Sequence, residues 1–308
     1  MSRRQTGIAL AFTAALISGF SIYVNGIAVR EFGNPTLYTT VKNLVAAGLL
    51  LSAAVALART GRSALTRPRG SGQVVGLAAV GVFGGGAAFV LFFEGLARTS
   101  ASSAGFVQKT LVIWVAILAV SLLRERFSIA HGAAIGVLVI GQLVASGGLA
   151  LSAFGQGEAM VFAATLLWAG EVIVAKRLLG SLSPLTVACA RMGIGSVVLV
   201  TFSLATGVTS GLASLTLTQW GWALLTGLIL CTYVATWFAA LARAQATDVT
   251  AVLVFAAVVT AVISSGADVG RLASNVPGLA LITIGAMSIA VLVMRAERSA
   301  TGRRAPLV

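Results

Sequence analysis

Residues 101–126 read ASSAGFVQKTLVIWVAILAVSLLRER. After a short polar start the run is apolar. It is long enough to cross a bilayer core of about 30 Å as a helix, which takes about 20 residues. Lys109 sits about a third of the way in, and the run stops at Arg124, Glu125 and Arg126. A long apolar helix with one internal cation is hard to place in a soluble core. In a membrane protein it reads as a wall of a polar cavity, because ionised groups inside a bilayer face a cavity or a partner.

Composition agrees. The 308 residues are 58% apolar and 9% charged, with a mean hydropathy of +1.01, whereas soluble domains carry about 25% charged residues. The 35 glycines suit close approach of helices in lipid. The net charge of +13 suggests nucleic acid at first sight. The basic residues form no single patch, however, and fall between apolar runs, which excludes a nucleic-acid partner and leaves the lipid bilayer. Cys189 and Cys231 lie inside apolar runs without metal-ligand spacing and read as small buried residues. The segment GRSALTRPRGSG lacks the G-K-[ST] ending of a phosphate loop. No nucleotide, metal or other cofactor is expected.

Ten runs are long enough to span, at about 6–29, 35–58, 72–98, the opening stretch, 128–148, 157–178, 184–207, 219–243, 247–265 and 275–294. The second and seventh open at Pro35 and Pro184, a favoured first-turn position. The first follows MSRRQ and is too long for a signal-peptide core, so it reads as retained. Lys and Arg then fall almost wholly on one side. Arg3, Arg4, Arg59, Arg62, Arg67, Arg69, Arg124, Arg126, Lys176, Arg177, Arg243, Arg295, Arg298, Arg303 and Arg304 lie on the termini and even-numbered loops, against Arg30, Arg98 and Arg271 on the odd loops. This asymmetry predicts that both termini are cytoplasmic.

The halves repeat. GIALAFTAAL at 7–16 parallels GEAMVFAATL at 157–166, Pro35 and Lys42 each precede Pro184 and Arg191 by 149 positions, and FFEGLAR at 92–98 parallels WFAALAR at 237–243. Five spans per half is an odd number, so the second half would insert upside down relative to the first, as in many secondary transporters. The expected fold is an all-α membrane protein of ten transmembrane helices in two inverted five-helix repeats. Residues 1–150 form the first repeat, 151–295 the second, and 296–308 a basic cytoplasmic tail.

Ten spans in two halves, a basic residue early in the second and seventh spans, and a fourth span closing on a glutamate in LLRERF together resemble the drug/metabolite transporter superfamily, and within it the EamA-type permeases. The resemblance covers about residues 6–295. It implies a carrier of the bacterial inner (plasma) membrane, working by export, with amino acids or related compounds as cargo. One departure is that the second half has only Asp268 near the position matching Glu125.

The candidate substrate-binding residues are Lys42, Glu94, Phe106, Lys109, Trp168, Glu171, Arg191, Tyr233 and Trp237. Lys42 and Arg191 could instead snorkel to the interface, and Glu94 could pair with Arg98 one turn on. Lys109 has no acid at helical spacing and shares a face with Gly105 and Phe106. Helix rise places Glu94 within about 4 Å of its depth across the third-to-fourth turn, so the two could pair. Trp168 lies one turn before Glu171, and Tyr233 one turn before Trp237. Aromatic residues at such spacing also serve packing or the interfacial belt, the reading for Trp220 and Trp222; Trp114 is ambiguous. Gly84–Gly86 suit a close helix contact or a bending point, and Gly132 with Gly136 suit a contact face of the kind that also joins protomers. His131 reads as a surface histidine.

These features predict a secondary carrier, monomer or homodimer, that moves a small organic substrate by alternating access through a central cavity between the repeats. A zwitterionic cargo would place its carboxylate on Lys109, its amine on an acid and its side chain on the aromatics. A passive channel is the alternative. A membrane-embedded enzyme would need a nucleophile with a base, and one surface-side histidine without a GxSxG motif does not supply them.

Overall fold

The computed structural model describes residues 2–60, 65–99, 101–146, 154–266 and 269–302. Among these the chain is helical, without strands. In order the helices are α1 (Arg3–Phe32), α2 (Pro35–Arg59), α3 (Ser71–Leu96), α4 (Ala101–Lys109 continued by Leu111–Leu123), α5 (Ile129–Ala145), α6 (Gln156–Leu178), α7 (Pro184–Ala205), α8 (Leu217–Leu241), α9 (Ala246–Leu253 continued by Ala256–Ser265) and α10 (Val269–Gly302). Nine of them are long and apolar enough to cross a membrane, and α5, at 17 residues, is shorter. The expected end of α5 at 148, the repeat boundary at 150, Asp268 and residues 303–308 lie outside the described residues. The segment expected as a tail continues α10 as helix to Gly302.

Local chemistry sets the starts. Asn34 and Ser183 cap the two proline-opened helices by accepting from Leu37 N and Thr186 N, satisfying backbone donors that a first turn leaves free. Ser2 and Gln5 form a reciprocal capping box on α1. Gly33 ends α1 at φ 66°, a conformation glycine adopts without strain.

The most extensive interfaces run between the halves rather than within them. α1 packs on α8 as α6 packs on α3, α2 on α8 as α7 on α3, and α1 on α9 as α6 on α4, while α2·α7, α4·α9 and α5·α10 pair equivalent helices. Exchanging the halves therefore maps the packing onto itself, and one hydrophobic core contains residues of both. Phe12 stacks edge-on with Phe255 at 5.8 Å, and Phe162, its counterpart, with Trp114 at 5.4 Å. Cys189 and Cys231 are unbonded and half-buried against this core, more open than expected.

Hydrogen bonds sort the connections to two ends. At one end Arg3 Nη2 donates to Ala242 O at 2.9 Å, Arg177 Nη2 to Leu122 O at 2.9 Å, and Lys176 Nζ to Leu241 O at 2.5 Å. At the other, Glu158 accepts from Thr99 and Ser103, Thr36 donates to Glu94, and Gln219 Nε2 donates to Glu31 O at 3.1 Å. α1 thus starts at the end where α6 finishes.

Gly84–Gly86 lie in a π-helical turn, Val80–Ala87, within α3. A Cβ at Gly81 or Gly86 would overlap Ile194 or Val198 of α7, and one at Gly195 would overlap the Gly85 backbone. Close backbone contact is what these glycines serve here. The α5·α10 contact is made by Gly141, Gly278 and Gly285. Gly132 meets only its neighbour Phe127, and Gly136 has nothing within 4 Å.

Candidate functional site

Lys42 and Arg191 lie on α2 and α7, the equivalent helices that meet between the halves. They are 4% and 8% exposed, so neither snorkels to the surface. Their surroundings differ. Arg191 Nε donates to Glu171 Oε1 at 2.5 Å and Nη2 to Oε2 at 3.3 Å. Nη2 also reaches Gly84 O at 3.3 Å, and Trp168 Nε1 donates to that same carbonyl at 3.1 Å. The guanidinium lies 5.4 Å from the Phe89 ring, within cation–π range. Trp168 meets Phe89 and Phe92 edge-on or tilted at 5.6 and 5.4 Å. A Cβ at Gly84 would overlap the Glu171 carboxylate, so a glycine at this point of the π-turn is what lets the ion pair fit. Such turns often mark functional sites.

Lys42 Nζ, by contrast, approaches Asn25 Oδ1 at 3.4 Å and lies over the rings of Tyr38 and Phe93 at 4.8 and 5.5 Å. The Tyr38 hydroxyl donates to the same Asn25 oxygen. In the repeat register Glu171 matches Ser21, and Asn25 stands one turn later on α1. The group that meets Lys42 is nonetheless a neutral amide, whereas the one that meets Arg191 is a carboxylate. Phe89 and Phe93, stacked at 6.3 Å and 11°, bridge the two cations along α3.

Trp168, Glu171 and Arg191 are therefore together. Tyr233 and Trp237 stack at 6.2 Å on α8. Glu94 bonds Arg98 at 2.6 Å and accepts from Thr36 at 3.3 Å. Of the two partners the sequence left open for Glu94, the structure shows Arg98, and among the described residues Lys109 forms no ion pair. Lys109 and Phe106 are half-buried on the first segment of α4. That segment ends at Lys109, where Thr110 adopts φ −64°, ψ −10°. α9 breaks at Phe255, with φ −56° and ψ −21°, 145 positions later and at the equivalent point. Sequence reasoning missed Asn25, Tyr38, Phe89 and Phe93. Tyr38 lies one turn before Lys42, and Phe89 and Phe93 are one turn apart, which are the signals that could have found them.

A second cluster ties one end of the bundle. Glu125, just past α4, accepts from Ala246 N at 2.6 Å, Thr247 N at 3.1 Å and Thr247 Oγ1 at 3.0 Å, capping α9. Arg4 Nη2 meets the fully buried Asp248 at 2.7 Å. His131, expected as a surface residue, faces Asp248 at 3.5 Å with its side chain 13% exposed and its Nδ1 on Ser128 Oγ at 2.7 Å. Folding α9 over the start of α5 covers it. Two grooves are also present. One of about 470 Å³ lies between α3 and α6, beside Arg69, Gln73, Arg177 and Ser181. An apolar one of about 350 Å³ lies between α1 and α10. Neither is lined by Lys42 or Arg191. Among the described residues no His, Cys, Asp and Glu cluster could hold a metal.

An all-helical multi-pass chain, with two repeats packed through one another and ionised side chains sunk between them, has the build of a membrane transport protein. The EamA-like transporter family profile matches residues 5–147 and again 155–294. The chain belongs to that family, and so is a membrane transporter of small solutes within a family of transporters rather than enzymes. A search of curated proteins finds no match. Among 29 matching chains of solved structures, one crystal structure is 20% identical over 96% of this chain and 99% of its own, with a TM-score of 0.73. That is a likeness of fold.

Proposed function

We propose that the protein is a secondary carrier of the plasma membrane that exports a small organic metabolite, an amino acid or related compound, by alternating access between two inverted repeats. The observation that carries this reading is the pair of buried cations at equivalent positions of α2 and α7, where the halves meet. Charges are costly in a bilayer unless they serve a cavity or a partner, and repeat interfaces are where such carriers bind cargo. Two further features support it. α4 and α9 each carry a tightened helical turn, at Thr110 and Phe255, at matching points of the two repeats. The Glu125 cap and the Arg4–Asp248 pair latch one end, which the excess of Lys and Arg assigns to the cytoplasm. The substrate surface would comprise Lys42, Arg191, Glu171, Trp168, Tyr233 and Trp237 with Phe89 and Phe93, while Lys109, Phe106 and Glu94 lie toward the opposite end.

The test is counterflow in proteoliposomes loaded with unlabelled amino acids. Saturable, trans-stimulated uptake of a labelled amino acid is expected. Flux that rises linearly with concentration and shows no trans-stimulation would instead establish the channel alternative.

A further inference from the structure

We infer that Lys42 is the docking point for a carboxylate on the cargo, so that the transported solutes carry a free acid group. This rests on the carrier reading above and names the chemistry of its site.

The argument is the contrast between the two halves. Arg191 has its counter-charge within the protein, held in two hydrogen bonds by Glu171. Lys42 occupies the equivalent position and is at least as buried, yet its contacts are an amide oxygen at 3.4 Å and two ring faces. Among the described residues no acidic side chain forms an ion pair with it. The nearest acid on α3, Glu94, is held by Arg98 and Thr36. An ammonium buried without an opposite charge is strongly unfavourable, and ring faces offset only part of that. A ligand carboxylate supplies the missing charge in a charge-assisted hydrogen bond. One turn before Lys42, the buried Thr39 hydroxyl has no hydrogen-bond partner and offers a second donor. The rings of Tyr38 and Phe93 leave the approach apolar, which suits a single compact anion rather than a polyanion. Asn25 is the selecting residue: its side-chain oxygen is the protein group that approaches Lys42 Nζ, at 3.4 Å, and a carboxylate there would satisfy Lys42 internally.

The experiment is thermal-shift and counterflow measurement on the purified full chain with three matched panels: L-amino acids, their amides, and the amines left by removing the carboxyl group. Wild type is expected to be stabilised by, and to transport, members of the first panel only. Lys42→Met should abolish that response, and Asn25→Asp should weaken apparent affinity by roughly tenfold or more, the worth of one charge-assisted hydrogen bond. Asn25→Asp keeps Lys42 partnered, so it should fold at least as well as wild type and serves where Lys42→Met does not. Equal response to acids and amides, or an Asn25→Asp variant with unchanged affinity, overturns the inference while leaving the carrier reading in place. Acid-specific stabilisation without flux or trans-stimulation sinks the carrier reading and keeps the inference.

Discussion

The Arg191–Glu171 pair makes a quantitative demand. It is almost wholly enclosed, with both side chains at or below about a tenth exposed, and bound by two contacts of 2.5 and 3.3 Å. Replacing Glu171 by Met leaves a buried guanidinium whose remaining partners are the Gly84 carbonyl and the Phe89 ring. Replacing Arg191 by Met leaves a buried carboxylate pressed against the π-turn. Breaking a buried pair from either side costs about 3–5 kcal/mol, while removing both charges costs far less because the desolvation penalty leaves with them. The double variant should therefore be no worse than either single. The coupling should reach about 3 kcal/mol, roughly a hundredfold in the folding equilibrium. Denaturant titration of the wild type, both singles and the double in mixed micelles, followed by tryptophan fluorescence, measures all four corners. Singles that add to within about 0.5 kcal/mol would show that the two charges do not meet, and the assignment of the site would fail with them.

The remaining expectations follow from the same contacts. Gly85→Ala should lose about 1–3 kcal/mol by overpacking, because its Cβ would overlap the Arg191 carbonyl, whereas Gly193→Ala, with nothing within 4 Å, should gain about 0.5–1 kcal/mol; equal effects in the same titration would contradict the α3·α7 contact. Glu125→Gln removes the charged cap on α9 and should cost about 1 kcal/mol, read as faster hydrogen exchange at Ala246 and Thr247, and unchanged exchange there would dissolve the latch. Reporter fusions at the two ends should both report the cytoplasm, and opposite sides would break the ten-span count.

Much of the fold was legible without coordinates. Apolar run lengths, the proline starts of α2 and α7, and the one-sided placement of Lys and Arg depend on composition along the chain, so the helices and the repeat could be read directly. The site was only half legible. A charge in an apolar run announces that it needs a partner, and so Lys42, Glu171 and Arg191 stood out. Its partner was harder to find. Glu94 looked available to Lys109 by depth alone, and Arg98 holds it. His131 looked exposed, and α9 covers it.

Sequence by itself determined that this is a two-repeat helical membrane protein with cations at matched positions of two spans, because helix spans and charge placement follow from local hydropathy and composition; their burial between the halves came from the structure. Only the tertiary structure decided which of those cations is neutralised from within. That depends on the bare backbone of Gly84 packing against Glu171, and on an amide rather than an acid standing beside Lys42. Both are distances between helices far apart in the chain, which no run of residues encodes locally.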